Sequence, residues 1–214
     1  MTQGSIEYFY SVRSSFTYLG AARLNALARQ YGLSIIHRPM DLLKLVDALS
    51  PVGNAHPADR PYAGARVFEK CPVRERYTQI EYRRWGAHLG LEINLDPVHH
   101  TGPRELPSGV VIFAQEQGLG ADAVSHAVLQ ALWRDDRDIA DPEVVIDILD
   151  GLALGVSGAA ICEAAMMPVV QAKLAENTRI AAENGVFGAP TYIYRDEPFF
   201  GQDRLDFLER AITH

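Results

Sequence analysis

The chain has 214 residues, of which 48% are hydrophobic and 22% are charged, and it carries a formal net charge of -7. This composition suits one or two compact units with a sizeable core and excludes a disordered chain, and no apolar run reaches the roughly 18 residues that a membrane-spanning helix needs. The acidic balance argues against a protein that tracks nucleic-acid phosphates, and because the N-terminus lacks the basic and apolar regions of a signal peptide we expect a cytoplasmic location.

The N-terminal part of the chain alternates between strand and helix patterns. Residues 5–10 read as a strand, residues 18–31 as a helix and residues 33–37 as a second strand. A helical connection of this length joins parallel strands in a right-handed unit. Residues 41–49 predict a short helix capped by its first residue, and the proline- and glycine-containing stretch 50–63 predicts a long loop.

The middle of the chain has helical periodicity throughout. Helices are predicted over residues 72–89, 110–117, 121–134, 141–149, 157–165 and 168–184. Asp141 before Pro142 is a start signal, because the carboxylate caps free amides and proline fits the first helical position. The chain closes with strands over residues 191–194 and 198–200 and a helix over residues 202–212.

This order of elements predicts an α/β fold with a four-stranded mixed sheet and a large all-helical insertion. A doubly wound nucleotide fold would need strands scattered through the middle, and the sequence has no glycine-rich phosphate loop. We expect residues 1–50 and 185–214 to form the domain that contains the sheet, with residues 51–184 as a mainly helical insertion domain that includes the return helix.

The sequence contains two cysteines and a pair of consecutive histidines, and neither forms a metal or redox motif. Cys71 and Cys162 are too far apart for a redox pair, and Cys162 lies in an apolar run that predicts a core position. His99 and His100 lack the two further ligands that a zinc site needs nearby, so no metal is expected.

Three short segments stand out from the pattern. Residues 185–191 read Gly-Val-Phe-Gly-Ala-Pro-Thr, residues 201–205 read Gly-Gln-Asp-Arg-Leu, and residues 14–17 read Ser-Ser-Phe-Thr at the corner between the first strand and the first helix. With support from Tyr18-Leu19-Gly20, Gly53-Asn54 and Arg84-Trp85, they resemble the kappa-class glutathione transferases and, more closely, the 2-hydroxychromene-2-carboxylate isomerases. The resemblance covers nearly the whole chain and implies a thioredoxin-like fold shared with the periplasmic disulfide oxidases.

The resemblance implies a glutathione site built from distant parts of the chain. Pro190 would follow a cis peptide bond, so that the backbone of Ala189 pairs with the cysteinyl unit of glutathione like an added strand. The helix start at Gln202 and Asp203 would offer amides to the γ-glutamyl carboxylate, and the Asp203 carboxylate would accept the ammonium. Asn54 would contact the other end of the peptide.

Ser14 would be the catalytic residue, at the place where redox relatives keep their attacking cysteine. It would donate a hydrogen bond to the glutathione sulfur while the helix dipole favours the thiolate. The corner contains no cysteine, so we expect no disulfide exchange. The thiolate would add to an α,β-unsaturated α-keto acid, allow rotation about the former double bond, and leave again.

The candidates for binding this electrophilic substrate are Tyr77, Arg84, His99 and His100. The sequence departs from the family in two places, of which only the second concerns the substrate. The usual Ser-Pro of the corner is Ser14-Ser15 here, and residues 98–103 read Val-His-His-Thr-Gly-Pro where relatives have an apolar segment with Phe-Pro. The second departure favours a substrate with a polar group.

Each site residue also has a purely structural interpretation. Ser14 and Asp203 are of types that cap helices in any fold, Pro190 can serve as a turn, Asn54 as a left-handed turn residue, and the histidine pair as part of a solvated loop.

The resemblance, which also implies a homodimer, favours a glutathione-dependent cis-trans isomerase of aromatic-compound breakdown. A kappa-like transferase or peroxidase is the first alternative, because it would use the same residues. A noncatalytic thioredoxin-like module that binds an extended peptide over the predicted cis-proline is the second.

Overall fold

The computed structural model describes residues 4–49 and 72–214. Its sheet has four strands: β1 (Ser5–Tyr10), β2 (Ser34–Pro39), β3 (Thr191–Tyr194) and β4 (Glu197–Phe200). The spatial order is β2-β1-β3-β4, with β1 parallel to β2 and the other neighbours antiparallel. The predicted four-stranded mixed sheet is confirmed, and its two halves come from opposite ends of the chain.

The helices of the described residues occupy the connections between these strands and the C-terminus. They are α1 (Ser15–Gln30), α2 (Leu42–Leu49), α3 (Pro72–Leu89), α4 (Glu105–Glu116), α5 (Ala121–Trp133), α6 (Pro142–Gly151), α7 (Gly158–Ala165), α8 (Pro168–Glu183) and α9 (Leu205–Thr213). No helix in residues 4–49 and 72–214 is long and apolar enough to cross a membrane.

Helix ends explain most of the differences between prediction and structure. α1 begins at Ser15 rather than at residue 18, because Ser14 caps it by accepting a hydrogen bond from the amide of Thr17. α4 begins at Glu105 rather than at residue 110, and its first turns are buried, so they lack the alternation of polar and apolar residues by which a helix is recognised. The last predicted helix is a 3₁₀ turn, Gln202–Arg204, followed by α9.

Both faces of the sheet are covered, as expected for strands whose successive side chains point to opposite sides. Tyr8, Tyr10 and Tyr192 lie in the larger cluster of buried residues, which also includes side chains of α1, α4, α5, α6 and α9. Phe9 and Ile193 face the other way and pack with side chains from α2 and α8. The larger cluster continues from the sheet into the helical block, and the domain boundaries at residues 50 and 185 stay a prediction.

Candidate functional site

Ser14 lies at the C-terminal end of β1, where the chain turns into α1. Its amide donates to the carbonyl of Ser11 at 3.0 Å, and its hydroxyl accepts from the amide of Thr17 at 3.3 Å. The side chain is half-buried and sits at the N-terminus of a 16-residue helix. The unpaired amides and the dipole of such a helix favour negative charge at this position.

The segment with Pro190 faces this corner. The Ala189-Pro190 peptide bond is cis, as the resemblance implied. The Ser14 hydroxyl donates to the carbonyl of Ala189 at 3.4 Å, although 175 residues separate the two along the chain. The carbonyl of Pro190 accepts from the amide of Gly201 at 2.9 Å. These two contacts bring the three sequence motifs together in one place.

The turn with Gln202 and Asp203 begins at Gly201, whose φ is +99°. A β-carbon built on Gly201 would lie 2.5 Å from Oδ1 of Asp203, so the carboxylate folds back over a position where only glycine fits. Oδ2 of Asp203 pairs with Arg204 at 2.7 Å. Gln202 is buried, and the Arg23 guanidinium donates to its backbone carbonyl at 3.2 Å and to its side-chain oxygen at 3.1 Å.

α1 packs closely against the same turn. A β-carbon on Gly20 would lie 2.8 Å from both Cβ of Gln202 and the hydroxyl of Tyr192. Arg23, one turn later, also pairs with Asp206 at 2.9 Å. The helix that begins beside Ser14 is therefore the element that positions the Gln202–Asp203 turn.

Three consecutive residues at the corner contact three different parts of the chain. Ser14 contacts Ala189, as above. Ser15, which stands where the family usually has proline, donates to the hydroxyl of Tyr82 on α3 at 2.7 Å. Arg13 donates to backbone carbonyls of residues 99–103. The corner is thus bonded both to the C-terminal part of the chain and to residues 82 and 99–103 in its middle.

Tyr82 is a neighbour of the site that was not among the predicted site residues. Its ring packs edge-on against Phe16 and Trp133, with centroids 5.9 and 5.8 Å away. Burial raises the pKa of its hydroxyl. The periodicity of α3 indicated a buried face, and nothing in the sequence indicated that Ser15 would be its partner.

The predicted substrate residues of α3 lie away from this contact. Tyr77 is 58% exposed, and the side chain of Arg84 is 62% exposed and pairs with Glu81. At 100° per residue both lie on the side of α3 opposite Tyr82. The structure does not bring them to the corner through this helix, and their contact with substrate stays a prediction.

The histidine pair lies close to the corner. The backbone carbonyl of His99 accepts a hydrogen bond from Arg13. The ring nitrogen Nδ1 of His99 lies 3.8 Å from a carboxylate oxygen of Asp138. The ring of His100 contacts the carbonyl of Pro97 at 2.8 Å. Asn54 lies outside the described residues. Within residues 4–49 and 72–214, no group of three or more His, Cys, Asp or Glu side chains is placed to hold a metal ion.

The family model of the DSBA-like thioredoxin domain matches residues 5–213. The chain belongs to this family. As a DSBA-like chain it departs from the redox pattern, because residues 14–17 at the corner read Ser-Ser-Phe-Thr and include no cysteine. Cys162 is buried in α7, and Cys71 lies outside the described residues. Burial raises the pKa of the Cys162 thiol to about 11, which makes it a poor thiolate.

Curated relatives of this DSBA-like chain are named as enzymes. A 2-hydroxychromene-2-carboxylate isomerase of Pseudomonas putida is 28% identical over 97% of this chain and 93% of its own length. Glutathione S-transferase kappa 1 of Rattus norvegicus is 23% identical over 95% of this chain and 88% of its own length. A solved structure of 2-hydroxychromene-2-carboxylate isomerase has the same fold, with a TM-score of 0.77 at 24% identity over 98% of this chain and 94% of the other.

Proposed function

We propose that the protein is a cytoplasmic, homodimeric, glutathione-dependent isomerase that acts on an unsaturated aromatic keto acid in the breakdown of aromatic compounds. One observation carries the proposal. The Ser14 hydroxyl lies at the N-terminus of α1, 3.4 Å from the carbonyl of Ala189, beside a cis-proline and next to the turn that bears Asp203. The names of the isomerase relatives support the choice of reaction.

Glutathione needs several fixed polar groups, because it is a flexible peptide with two carboxylates, one ammonium and one thiol. The backbone of Ala189 would pair with its cysteinyl unit, which positions the sulfur at Ser14. The amides at Gln202 and Asp203 would bind the γ-glutamyl carboxylate, and the Asp203 carboxylate would bind the ammonium. Asn54 would bind the opposite end.

The protein's part in catalysis would be to keep the sulfur as a thiolate. In the described structure the Ser14 hydroxyl donates to Ala189. On binding, it would donate instead to the sulfur, and the dipole of α1 would stabilise the same charge. Both interactions favour the thiolate over the thiol, so the pKa of the bound thiol falls below that of free glutathione.

The reaction would proceed by reversible addition. When bound, glutathione would supply a thiol that adds to the conjugated double bond of the substrate, allows rotation about the resulting single bond and leaves again unchanged, so that no proton or electron would be consumed. The residues of this chain would hold the cofactor through Ala189, Gln202 and Asp203, and Ser14 would stabilise the charge on its sulfur.

The experiment is to incubate the protein with 2-hydroxychromene-2-carboxylate and a substoichiometric amount of glutathione. An isomerase converts many equivalents of substrate per glutathione, and the free-thiol concentration stays constant. A kappa-like transferase, favoured as the alternative by the rat relative, would stop when glutathione is consumed and leave a stable thioether. A thioether product, or conversion that does not depend on glutathione, would contradict the proposal.

A further inference from the structure

Arg13 immediately precedes Ser14, yet its side chain binds a remote segment of the chain. Nε and Nη2 donate to the carbonyl of Pro103 at 3.0 and 2.9 Å. Nη1 donates to the carbonyls of His99 at 2.6 Å and of Thr101 at 3.3 Å. One guanidinium thus fixes the backbone of residues 99–103 beside the corner, and we call this set of bonds the Arg13 clamp.

The Arg13 clamp contains a buried cation whose hydrogen-bond partners are all backbone carbonyls. Arg13 is only 6% exposed, and burial is the main cause that lowers its pKa. Burying a charge is unfavourable unless it is fully hydrogen-bonded, and an aliphatic residue of similar volume would stabilise a core without this desolvation penalty. The side chain is therefore suited to hold a segment that has no regular secondary structure.

The segment is shaped to receive the guanidinium. Gly102 has φ +143°, and a β-carbon there would lie 2.9 Å from Nη2 of Arg13. On its other side the segment is anchored by the amide of His99, which donates to Asp136 at 3.3 Å. Hydrogen bonds from Arg13 on one side and to Asp136 on the other thus hold residues 99–103 beside the corner.

We propose that Arg13 is a positioning residue that holds residues 99–103 as a wall of the electrophile site next to Ser14 and thereby sets which electrophile is accepted. The inference rests on the proposed function and goes beyond it, since the sequence singled out residues 98–103 but gave no role to Arg13. The glutathione contacts proposed for Ala189, Gln202 and Asp203 come from other segments, and the bonds of the Arg13 clamp run only to residues 99, 101 and 103.

Three variants test the Arg13 clamp. Arg13→Met removes its hydrogen bonds, and Arg13→Lys keeps the charge and part of the bonding. Gly102→Ala keeps the arginine but places a methyl group 2.9 Å from Nη2 on a backbone position with φ +143°, which disturbs the clamp from the side of the segment. Arg179→Met is the matched control, because Arg179 is an exposed arginine on α8 that pairs with Glu176 and Glu183. The measurements are hydrogen exchange of residues 99–103, glutathione affinity, and KM and kcat for 2-hydroxychromene-2-carboxylate and for chlorodinitrobenzene.

We expect a split between the two ligands. Arg13→Met and Gly102→Ala should accelerate exchange in residues 99–103 and raise the electrophile KM by about tenfold or more, because small misplacements of site groups are costly. The ratio of kcat/KM between the two electrophiles should change, Arg13→Lys should recover part of the loss, and glutathione affinity should stay within about twofold. Arg179→Met should match the wild type in every measurement.

Two results would overturn the inference. Unchanged electrophile kinetics in both Arg13→Met and Gly102→Ala would show that the segment is not part of the site. A parallel loss of glutathione affinity and electrophile binding would show that Arg13 supports the whole corner rather than this wall. Failure of the proposed function itself is distinguishable, because it would appear in the wild type as absence of glutathione binding.

Discussion

The Ser14 hydroxyl lies between the amide of Thr17 and the carbonyl of Ala189, at 3.3 and 3.4 Å. These are long contacts, and a charged sulfur placed at the same corner would offer a stronger hydrogen-bond acceptor than a peptide carbonyl. A hydroxyl at residue 14 could therefore serve either to cap α1 or to donate to the thiolate. Its removal would lower only the stability in the first case, and would also lower the catalytic rate in the second.

Ser14→Ala should raise the pKa of the bound glutathione thiol and lower kcat by roughly tenfold to a hundredfold, since a hydrogen bond to a charged group is worth about 1.5–3 kcal/mol. The thiolate absorbance as a function of pH and the steady-state rate measure both effects. Ser157→Ala is the control, because Ser157 caps α7 in the same way at 3.3 Å from the amide of Ala160. It should cost about 1 kcal/mol of stability and leave the rate unchanged. Equal rates in the two variants would make Ser14 a cap only.

Cys162 should be inert towards alkylation in the folded protein. Burial, with a smaller contribution from Asp150, raises its thiol pKa from 9.0 to about 11, so the thiolate is rare at pH 7. The folded state binds the proton more tightly than the unfolded state, and the free energy of unfolding should fall as pH rises from 9 towards 11. Mass spectrometry after iodoacetamide treatment should find Cys162 labelled in denaturant and unlabelled without it; labelling at equal rates would contradict its burial.

At the scale of elements, the close contact of α1 with the Gln202–Asp203 turn links the catalytic corner to the cofactor site. Gly20→Ala should place a methyl group 2.8 Å from Gln202 and from the Tyr192 hydroxyl. We expect a loss of about 1–3 kcal/mol in stability, as for an overpacked core, together with weaker glutathione binding.

The control for that change is a glycine with free space around it. Gly151, at the end of α6, has nothing within 4 Å of a built β-carbon. Gly151→Ala should be neutral or stabilise by about 0.5–1 kcal/mol. Thermal unfolding and glutathione titration of both variants measure these effects. A Gly20→Ala variant as stable as Gly151→Ala would show that α1 and the Gln202–Asp203 turn can move apart to accept the methyl group.

The two core tyrosines of β1 offer a second matched pair. Their rings stack at 4.2 Å, but the Tyr10 hydroxyl bonds to Nδ1 of His37 at 3.0 Å, whereas the buried Tyr8 hydroxyl has no partner among the described residues. Tyr10→Phe should cost about 1–3 kcal/mol because it also removes the partner of the buried Nδ1 of His37, whose Nε2 keeps its contact with Asp122. Tyr8→Phe should be neutral or stabilising. Denaturant unfolding measures both; a larger loss at Tyr8 would contradict this hydrogen-bond assignment.

At the scale of the whole molecule, the sequence predicted the elements better than the contacts between them. The bounds of α3 and β3 were predicted without error, because their periodicity and their flanking prolines and charges are local signals. The start of α4 was misplaced because Leu106 to Ile112 are buried on every side, which removes the helical pattern. The local sequence does not indicate which residues are buried by elements that are distant along the chain.

In the candidate site, too, the sequence predicted residues that belong to motifs but not residues whose role depends on distant contacts. Ser14, Ala189 and Gln202 were chosen from motifs, and the structure places them together. Arg13 and Tyr82 were missed because their roles depend on partners 86 and 67 residues away, whose position only the fold determines. A charged residue before a serine has no distinctive pattern, and its burial at 6% exposure is visible only in three dimensions.

The central claim is that motifs from the two ends of the chain form one glutathione site. Calorimetric titration of glutathione into the wild type and Asp203→Ala tests it, with Asp147→Ala as control, because Asp147 is an exposed aspartate on α6 that pairs with Arg137. We predict micromolar to low-millimolar binding that is much weakened in Asp203→Ala alone, since the variant leaves the glutathione ammonium without its countercharge. Absence of binding to the wild type, or equal affinity in all three proteins, would contradict the account.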